Sequence, residues 1–454
     1  MTPTRPTEAD RADGKASLCL AYYGDDFTGS TDVLEALSRA GISTVLFLRP
    51  PTAQQLARFP GIRAFGVAGG SRTLTPEQME RELPPAFEAL RASGAPIIHY
   101  KVCSTFDSSP TTGSVGRAIE LGRKVFGEQP TPLVVGAPVL GRYVVFGNLF
   151  ARSGLDTEPY RLDRHPTMSR HPVTPMTESD LRRVLAAQTD LPVKLVDVLQ
   201  LEQPGDPGWT VAPGVPAPVV LFDTLREAHL PVIGRVIEDL VRNVPLFVVG
   251  SSGMEYALVA HWRRRVSVAT ADACGLETVE QLVCVSGSCS PVTARQIAVA
   301  VEQGFVALDA GPGPLADEGA RRRLLEQALA LLGQGRSVVL RSSRGPEDAC
   351  GSSRMPPTDP EKLGLQLGGL LEQLLKRTGL PRAVVCGGDT STHVARAMGV
   401  EALEYRGPMA PGSPVCRVYA PGRVAHGREI VFKGGQVGHP SFFADVLCGV
   451  PGAS

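Results

Sequence analysis

Along most of this chain, short apolar runs alternate with stretches in which apolar residues recur every three or four positions. The first such pair is the clearest. Residues 18–23 are apolar, Gly24 breaks the run, and Val33, Leu34, Ala36 and Leu37 then share one helical face. Runs at 42–48, 62–68, 95–100 and 133–135 predict four more strands, with helices over 79–93 and 115–125. Thr75-Pro76-Glu77 reads as a helix start, threonine capping and proline at the first helical position. After Leu181 the pattern continues with strands near 193–199, 219–222 and 246–249 and a helix around 232–241. A second series has strands at 282–285, 305–308, 337–340, 383–386 and 430–432. Its helices fall at 293–303, 317–332, 361–377 and 393–398. Strand–helix–strand repetition predicts an α/β fold of two domains, each a mostly parallel sheet flanked by helices, with a ligand cleft between them. The expected boundaries are a disordered tail at 1–16, a first domain at 17–262, a linker at 263–281 and a second domain at 282–450.

Two stretches interrupt the rhythm. Residues 141–175 hold Arg152, Arg161, Arg164, Arg170, His165 and His171 with little that can pack. A long loop of this kind is functional or disordered. Its arginines can clamp a carboxylate or lie solvated, and both readings stay open. The two histidines lack metal-ligand spacing and read as solvent-facing or substrate-contacting. Residues 344–360 are polar, proline-rich and aperiodic, and read as a mobile surface loop.

Composition narrows the class. At 454 residues the chain exceeds one typical domain, and 43% hydrophobic residues are enough for a substantial core. Lys+Arg and Asp+Glu both number 46, and zero net charge argues against a nucleic-acid or anionic-membrane binder. No apolar run reaches the ~20 residues of a membrane span, and the first sixteen residues lack the apolar core of a signal peptide. The nine cysteines form no C-x-x-C pair, and an odd number suits a reducing compartment. A soluble cytoplasmic protein is expected. Only seven of the basic residues are lysines; two, Lys101 and Lys433, sit in Gly/Ser-rich stretches.

The candidate chemistry lies in the turns. Gly24-Asp25-Asp26-Phe27-Thr28-Gly29-Ser30-Thr31-Asp32 falls at the carboxyl end of a strand and the amino end of a helix. Ligands bind there in open α/β sheets, and free helix N–H groups favour anions. A helix cap needs one such acid, not two. The second domain has three Gly/Ser-rich turns directly after strands, at 286–290, 387–392 and 433–438. Each alone reads as a tight turn; together they suggest a nucleotide phosphate site. Neither a Walker A loop nor a G-x-G-x-x-G fingerprint is present, which disfavours a dehydrogenase. Gly250-Ser251-Ser252-Gly253 is a weaker signal of the same kind. Asp25, Asp26, Lys101, Asp107 and the arginines suit a small polyhydroxy acid, with Ser104 and Arg170 as further candidate substrate contacts. A nucleotide in one domain and a small acid in the other implies phosphoryl transfer, with Mg²⁺ and one base near the attacking hydroxyl. Asp25 and Asp26 are both candidates for that base; the metal ligands are unassigned.

The motifs Tyr23–Asp32, Tyr100–Ser108, His171–Met176, Val285–Ser290, Gly387–Ser391 and Lys433–Gly438 run in order along the chain and resemble those of the four-carbon acid sugar kinase family. The 101–108 stretch is closest to the 3-oxo-tetronate kinase-like branch. The resemblance implies an N-terminal acid-sugar domain and a C-terminal ATP domain. ATP would then meet Ser286, Ser288 or Ser290, the turn Gly387, Gly388, Asp389 and Thr390, and Gly434, Gly435 or Gly438. The sugar acid would meet Asp25, Asp26, Lys101 and Asp107. Residues 147–150 and 165–171 depart from that branch, which leaves the acceptor open to a branched or oxidised acid sugar. The rival readings are a kinase of another small polyhydroxy acid and a non-catalytic sugar-acid or nucleotide sensor. The expected partner is a small sugar acid, with no nucleic acid and no membrane; a homodimer is compatible with this reading.

Overall fold

The computed structural model describes residues 17–153, 158–170, 174–203, 217–263, 275–345 and 359–451. The expected tail at 1–16, residues 264–274 of the expected linker, His171 and residues 346–358 of the expected surface loop lie outside the described residues.

The strands of the N-terminal lobe are β1 Leu20–Gly24, β2 Thr44–Phe47, β3 Ala64–Ala68, β4 Ile97–Lys101, β5 Thr131–Val134, β6 Arg142–Val145, β7 Asn148–Arg152, β8 Pro159–Arg161, β9 Val193–Val196, β10 Val219–Phe222 and β11 Leu246–Gly250. Those of the C-terminal lobe are β12 Val283–Ser286, β13 Val306–Asp309, β14 Val338–Arg341, β15 Arg382–Cys386, β16 Ala402–Ala410, β17 Ser413–Tyr419 and β18 Glu429–Lys433. In the first lobe β2-β3-β1-β4-β11-β5-β10-β9 lie side by side and parallel. In the second, β13-β14-β12-β15-β18 do the same. This is the two-domain, mostly parallel α/β architecture that the rhythm predicts.

The two sheets do not stand apart, however. The β16–β17 hairpin pairs antiparallel with β18 on one side and with β2 on the other, making one 15-stranded sheet. Its turn needs Gly412, whose φ of 76° is in the left-handed region. Side chains alternate across a strand, so each strand feeds two cores. Leu20 and Tyr22 of β1 join one core, Ala21 and Tyr23 the other. Val283 and Val285 of β12 belong to the same core as Leu20 and Tyr22, so one apolar layer runs through both lobes. The helix Phe27–Arg39 lies in that layer and touches β1, β2 and β3 as well as β16, β17 and β18.

The described part of residues 141–175 is not an unpacked loop. β6, β7 and β8 form a separate antiparallel sheet, and Val144, Leu149, Ala151 and Leu162 are fully buried. Asp223, at the carboxyl end of β10, holds its first turn by accepting the N–H groups of Phe146 (2.6 Å) and Gly147 (2.8 Å). Among the described residues no helix is long and apolar enough to cross a membrane.

The turn of the β16–β17 hairpin docks on the Phe27–Arg39 helix. Thr31 Oγ1 donates to the Gly412 carbonyl at 2.9 Å, and Gly412 N–H donates to Glu35 Oε2 at 2.9 Å. Burial and the nearby Asp32 push the Glu35 carboxyl from 4.5 up to about 7, against the Gly412 N–H and Arg39. A carboxyl raised on folding contributes stability that is complete below about 4.5 and is lost as pH climbs to about 7. Glu35→Gln, which mimics the protonated acid, is therefore expected to be the more stable protein at pH 8, by up to about 3 kcal/mol. Near pH 4.5 it should lose that advantage. Urea unfolding at the two pH values measures the difference.

Candidate active site between the lobes

The parallel register aligns the carboxyl ends of β1, β3 and β4, with Gly24 opposite Ala68 on one side and Lys101 on the other. The turns that follow are stitched together. Asp25 N–H donates to the Lys101 carbonyl at 2.8 Å, and Arg72 N–H donates to the Asp25 carbonyl at 3.1 Å. The Arg72 guanidinium then joins the acids. Its Nε and Nη2 reach Asp25 Oδ2 (3.2 Å) and Oδ1 (2.9 Å), Nη2 also lies 2.8 Å from Asp26 Oδ1, and Nη1 is 3.9 Å from Asp107 Oδ2.

The two adjacent carboxylates differ in setting. Asp26 caps the Phe27–Arg39 helix, accepting Gly29 N–H (2.9 Å) and the Thr28 hydroxyl (2.7 Å). Its side chain is 21% exposed against 4% for Asp25, so Asp26 is the acid that a ligand can reach. Burial pushes Asp25 above the usual carboxylate range, and the Asp26 charge adds to the rise, while Arg72 and Lys101 oppose it. Burial acts on Asp26 too. There Arg72, Lys101, the Thr28 hydroxyl and the Gly29 N–H outweigh it and hold the group below its ordinary value.

Lys101 is buried and donates from Nζ to the Val102 carbonyl at 3.0 Å. Asp107 accepts from Thr105 Oγ1 at 2.6 Å, and the half-buried Ser104 lies on the same turn. Burial and Asp107 push the neighbouring Cys103 thiol up to about 11, so it is neutral at physiological pH and no nucleophile.

In the C-terminal lobe, β12, β15 and β18 are neighbours, with Ser286 opposite Cys386 and Cys386 opposite Lys433. Their three turns lie close against one another. A Cβ on Gly287 would lie 2.2 Å from Thr390 Oγ1, and one on Gly435 would lie 2.8 Å from Ser288 Oγ. Gly387, at φ 114°, brings its backbone against Thr390 and Ser288. Two helices start here. Ser290 caps the helix Pro291–Glu302 through Val292 N–H, and the helix Gly388–Ala397 follows Gly387. Two helix amino termini over a glycine cradle suit a chain of phosphates. Ser286 is fully buried beneath the first turn, and Asp389 is exposed on the second.

Lys433 has an internal task. Its buried Nζ donates to Thr293 Oγ1 and to the carbonyls of Gly434 and Val437, while Gln296 Nε2 binds those of Val437, Gly438 and His439. Together they shape the 434–438 turn from inside. The two lobes meet at that turn. A Cβ on Gly434 would lie 3.9 Å from Thr28 Cγ2, and the rings of Phe27 and Phe432 are 5.0 Å apart.

The structure therefore gathers Asp25, Asp26, Lys101, Ser104 and Asp107 on adjoining turns, and the three Gly/Ser turns on another set. Arg170 is exposed on the short turn Met168–Arg170 and pairs with none of the clustered carboxylates. His165 is neither solvent-facing nor poised for substrate. It is buried, its Nδ1 accepts the Thr167 and Met168 N–H groups, and burial lowers its basicity. The Gly250–Gly253 turn is closed, with Ser251 and Ser252 fully buried. Arg72 was missed as a site residue, although it follows a strand and two glycines as Asp25 follows β1. Asp32, whose charge lies near Lys101 and Asp26, was missed as well.

A family model described as a sugar-binding N-terminal domain matches residues 20–258, and one described as a nucleotide-binding C-terminal domain matches 283–443. A 3-oxo-isoapionate kinase of Paraburkholderia graminis is 44% identical, over 98% of this chain and 97% of its own. A 3-oxo-tetronate kinase of Pseudomonas fluorescens is 31% identical, over 94% and 96%. Crystal structures of a Salmonella typhimurium LT2 protein (24% identity, TM-score 0.74, 95% of this chain and 98% of that one) and a Haemophilus influenzae protein (22%, 0.70, 93% and 98%) share the fold.

Proposed function

Because the chain belongs to the four-carbon acid sugar kinase family, we propose that it transfers the γ-phosphoryl group of ATP to a hydroxyl of a small oxo-sugar acid whose carbon chain is branched. One observation carries the reading. The acid turn after β1 and the glycine turn after β18, from opposite lobes, meet at Thr28. That junction puts an acceptor hydroxyl beside the end of a triphosphate, and phosphoryl transfer depends chiefly on such positioning. The branched acceptor is supported by the higher identity to the 3-oxo-isoapionate kinase than to the 3-oxo-tetronate kinase, 44% against 31%.

Each residue then has a task. The Ser288, Gly387–Thr390 and Gly434–Gly435 backbones cradle the phosphates. Arg72 fixes Asp25 and Asp26 in place. Asp26, the more exposed acid, accepts the hydrogen bond and then the proton of the attacking hydroxyl, while Asp25 positions Arg72. Lys101, Ser104 and Asp107 contact the acid. Among the described residues no group of three or more His, Cys, Asp or Glu could hold a metal. Mg²⁺ keeps waters and nucleotide phosphates as ligands and needs one or two protein carboxylates; Asp389, exposed on the turn after β15, is the candidate. The ion would neutralise charge on the transferred group. ATP supply places the reaction in the cytoplasm.

The test is ADP release with Mg-ATP over a panel: D- and L-threonate, D- and L-erythronate, their 2- and 3-oxo forms, and a branched 3-oxo acid. The branched acid is expected to give the highest kcat/KM, and EDTA to abolish turnover. Better turnover of the linear 3-oxo acids would overturn the branched acceptor. ADP release with none of them would overturn the kinase reading.

A further inference from the structure

The strand order fixes the direction in which a nucleotide lies, given the kinase reading above. From the acid cluster outward, the turn after β18 comes first and lies beside Thr28, the turn after β15 is next, and the turn after β12 is farthest. The transferred phosphoryl must reach Asp26, so the triphosphate runs from β18 back towards β12. The nucleoside then emerges on the far side of β12, over the carboxyl ends of β14 and β13.

The register sets Ser286, Arg341 and Asp309 abreast at those ends, each about 4.8 Å from the next. The turn after β14 is tied in, with Ser342 N–H on the Ser286 carbonyl at 2.8 Å and Ala310 N–H on the Arg341 carbonyl at 2.7 Å. Arg341 Nε donates to Asp309 Oδ1 at 2.9 Å, and Arg344 Nη2 binds Asp309 Oδ2. Asp309 nevertheless stays 48% exposed. A solvated ion pair adds little stability. This one holds an accessible carboxylate in a fixed orientation where the direction of the phosphates puts a sugar. In open α/β nucleotide sites an acid at the end of a nearby strand accepts from the ribose.

We propose that Asp309, oriented by Arg341 and Arg344, is the ribose-binding carboxylate of this chain and accepts the 2′- and 3′-hydroxyls of ATP. Titration calorimetry of the full chain with Mg-ATP and with Mg-2′-deoxyATP tests it. Wild type is expected to bind 2′-deoxyATP about tenfold more weakly than ATP, as loss of a hydrogen bond to a charged group implies. Asp309→Ala, which loses both bonds, should bind ATP more than tenfold more weakly than wild type and no longer distinguish the two nucleotides. Two results would overturn the assignment: unchanged ATP affinity in the variant, or weakened binding with the preference for ATP intact, which would leave Asp309 acting only through Arg341. Wild type that binds neither nucleotide would sink the kinase reading itself, a separate outcome. Urea midpoints of the two proteins verify that the exposed substitution leaves the fold in place.

Discussion

Asp26→Asn is expected to lower turnover by about 10²–10⁴, the range that a positioned acid–base group contributes, while ATP affinity stays at the wild-type value. Asparagine is chosen for a physical reason. It caps helices as well as aspartate does, so the Gly29 N–H keeps its acceptor and the Phe27–Arg39 helix keeps its start. What disappears is the charge that receives the proton. The pH profile adds a second readout. Asp26 is held below its ordinary range, so wild-type kcat should show no acid limb from this group between pH 5 and 8. Asp25 is raised by burial, and a base there would place its limb higher than that of an ordinary carboxylate. Wild-type turnover in Asp26→Asn, or an acid limb that only Asp25→Asn removes, would shift the base to Asp25.

The second large effect is expected at Arg72. This guanidinium binds Asp25 through two nitrogens, lies 2.8 Å from Asp26 and approaches Asp107. Removing one partner of such a group leaves uncompensated buried charge and costs about 3–5 kcal/mol, a large share of the ~5–15 kcal/mol that holds a folded protein together. Arg72→Leu should therefore be strongly destabilised at pH 8. It should recover as pH falls towards 4, because the stranded carboxylates take up protons. Arg72→Lys keeps the charge but lacks the planar fork. It should fold better than the leucine variant and still turn over slowly, because one ammonium cannot grip both oxygens of Asp25 and also Asp26. Unfolding midpoints across pH for the three proteins decide the matter. A leucine variant as stable as wild type at pH 8 would show that the acids need no common partner.

Much of the fold was legible because period is a local property. β1 announces itself as an apolar run, the Phe27–Arg39 helix as a repeating face, and Thr75-Pro76 as the cap and first residue that the structure shows. The joining of the lobes was not. β16, β17 and the turn between them carry Pro408, Pro411, Pro414, Gly407 and Gly412, which break any alternating pattern, and nothing in β2 says that its free edge will meet another lobe. The β6–β8 sheet was hidden in the same way, by arginines that drew attention away from Val144, Leu149 and Ala151. At the site, the turns could be placed because ligands gather at strand ends. Arg72 could not be singled out, since its partners come from turns 47 and 35 residues away and only the register of β1, β3 and β4 brings them together. Lys433 illustrates the converse. A lysine beside two glycines invites a phosphate, yet its donors are spent on Thr293 and the carbonyls of its own turn.

The central claim is that a phosphoryl group crosses from the glycine turns of one lobe to a hydroxyl held by the acid turn of the other. Phosphorus NMR of the full chain with Mg-ATP and a branched 3-oxo sugar acid tests this most directly. The account predicts one new phosphomonoester signal for each ADP formed, absent when either the acid or Mg²⁺ is left out. ADP accompanied by free phosphate alone, or unchanged ATP although calorimetry shows both ligands bound, would contradict it.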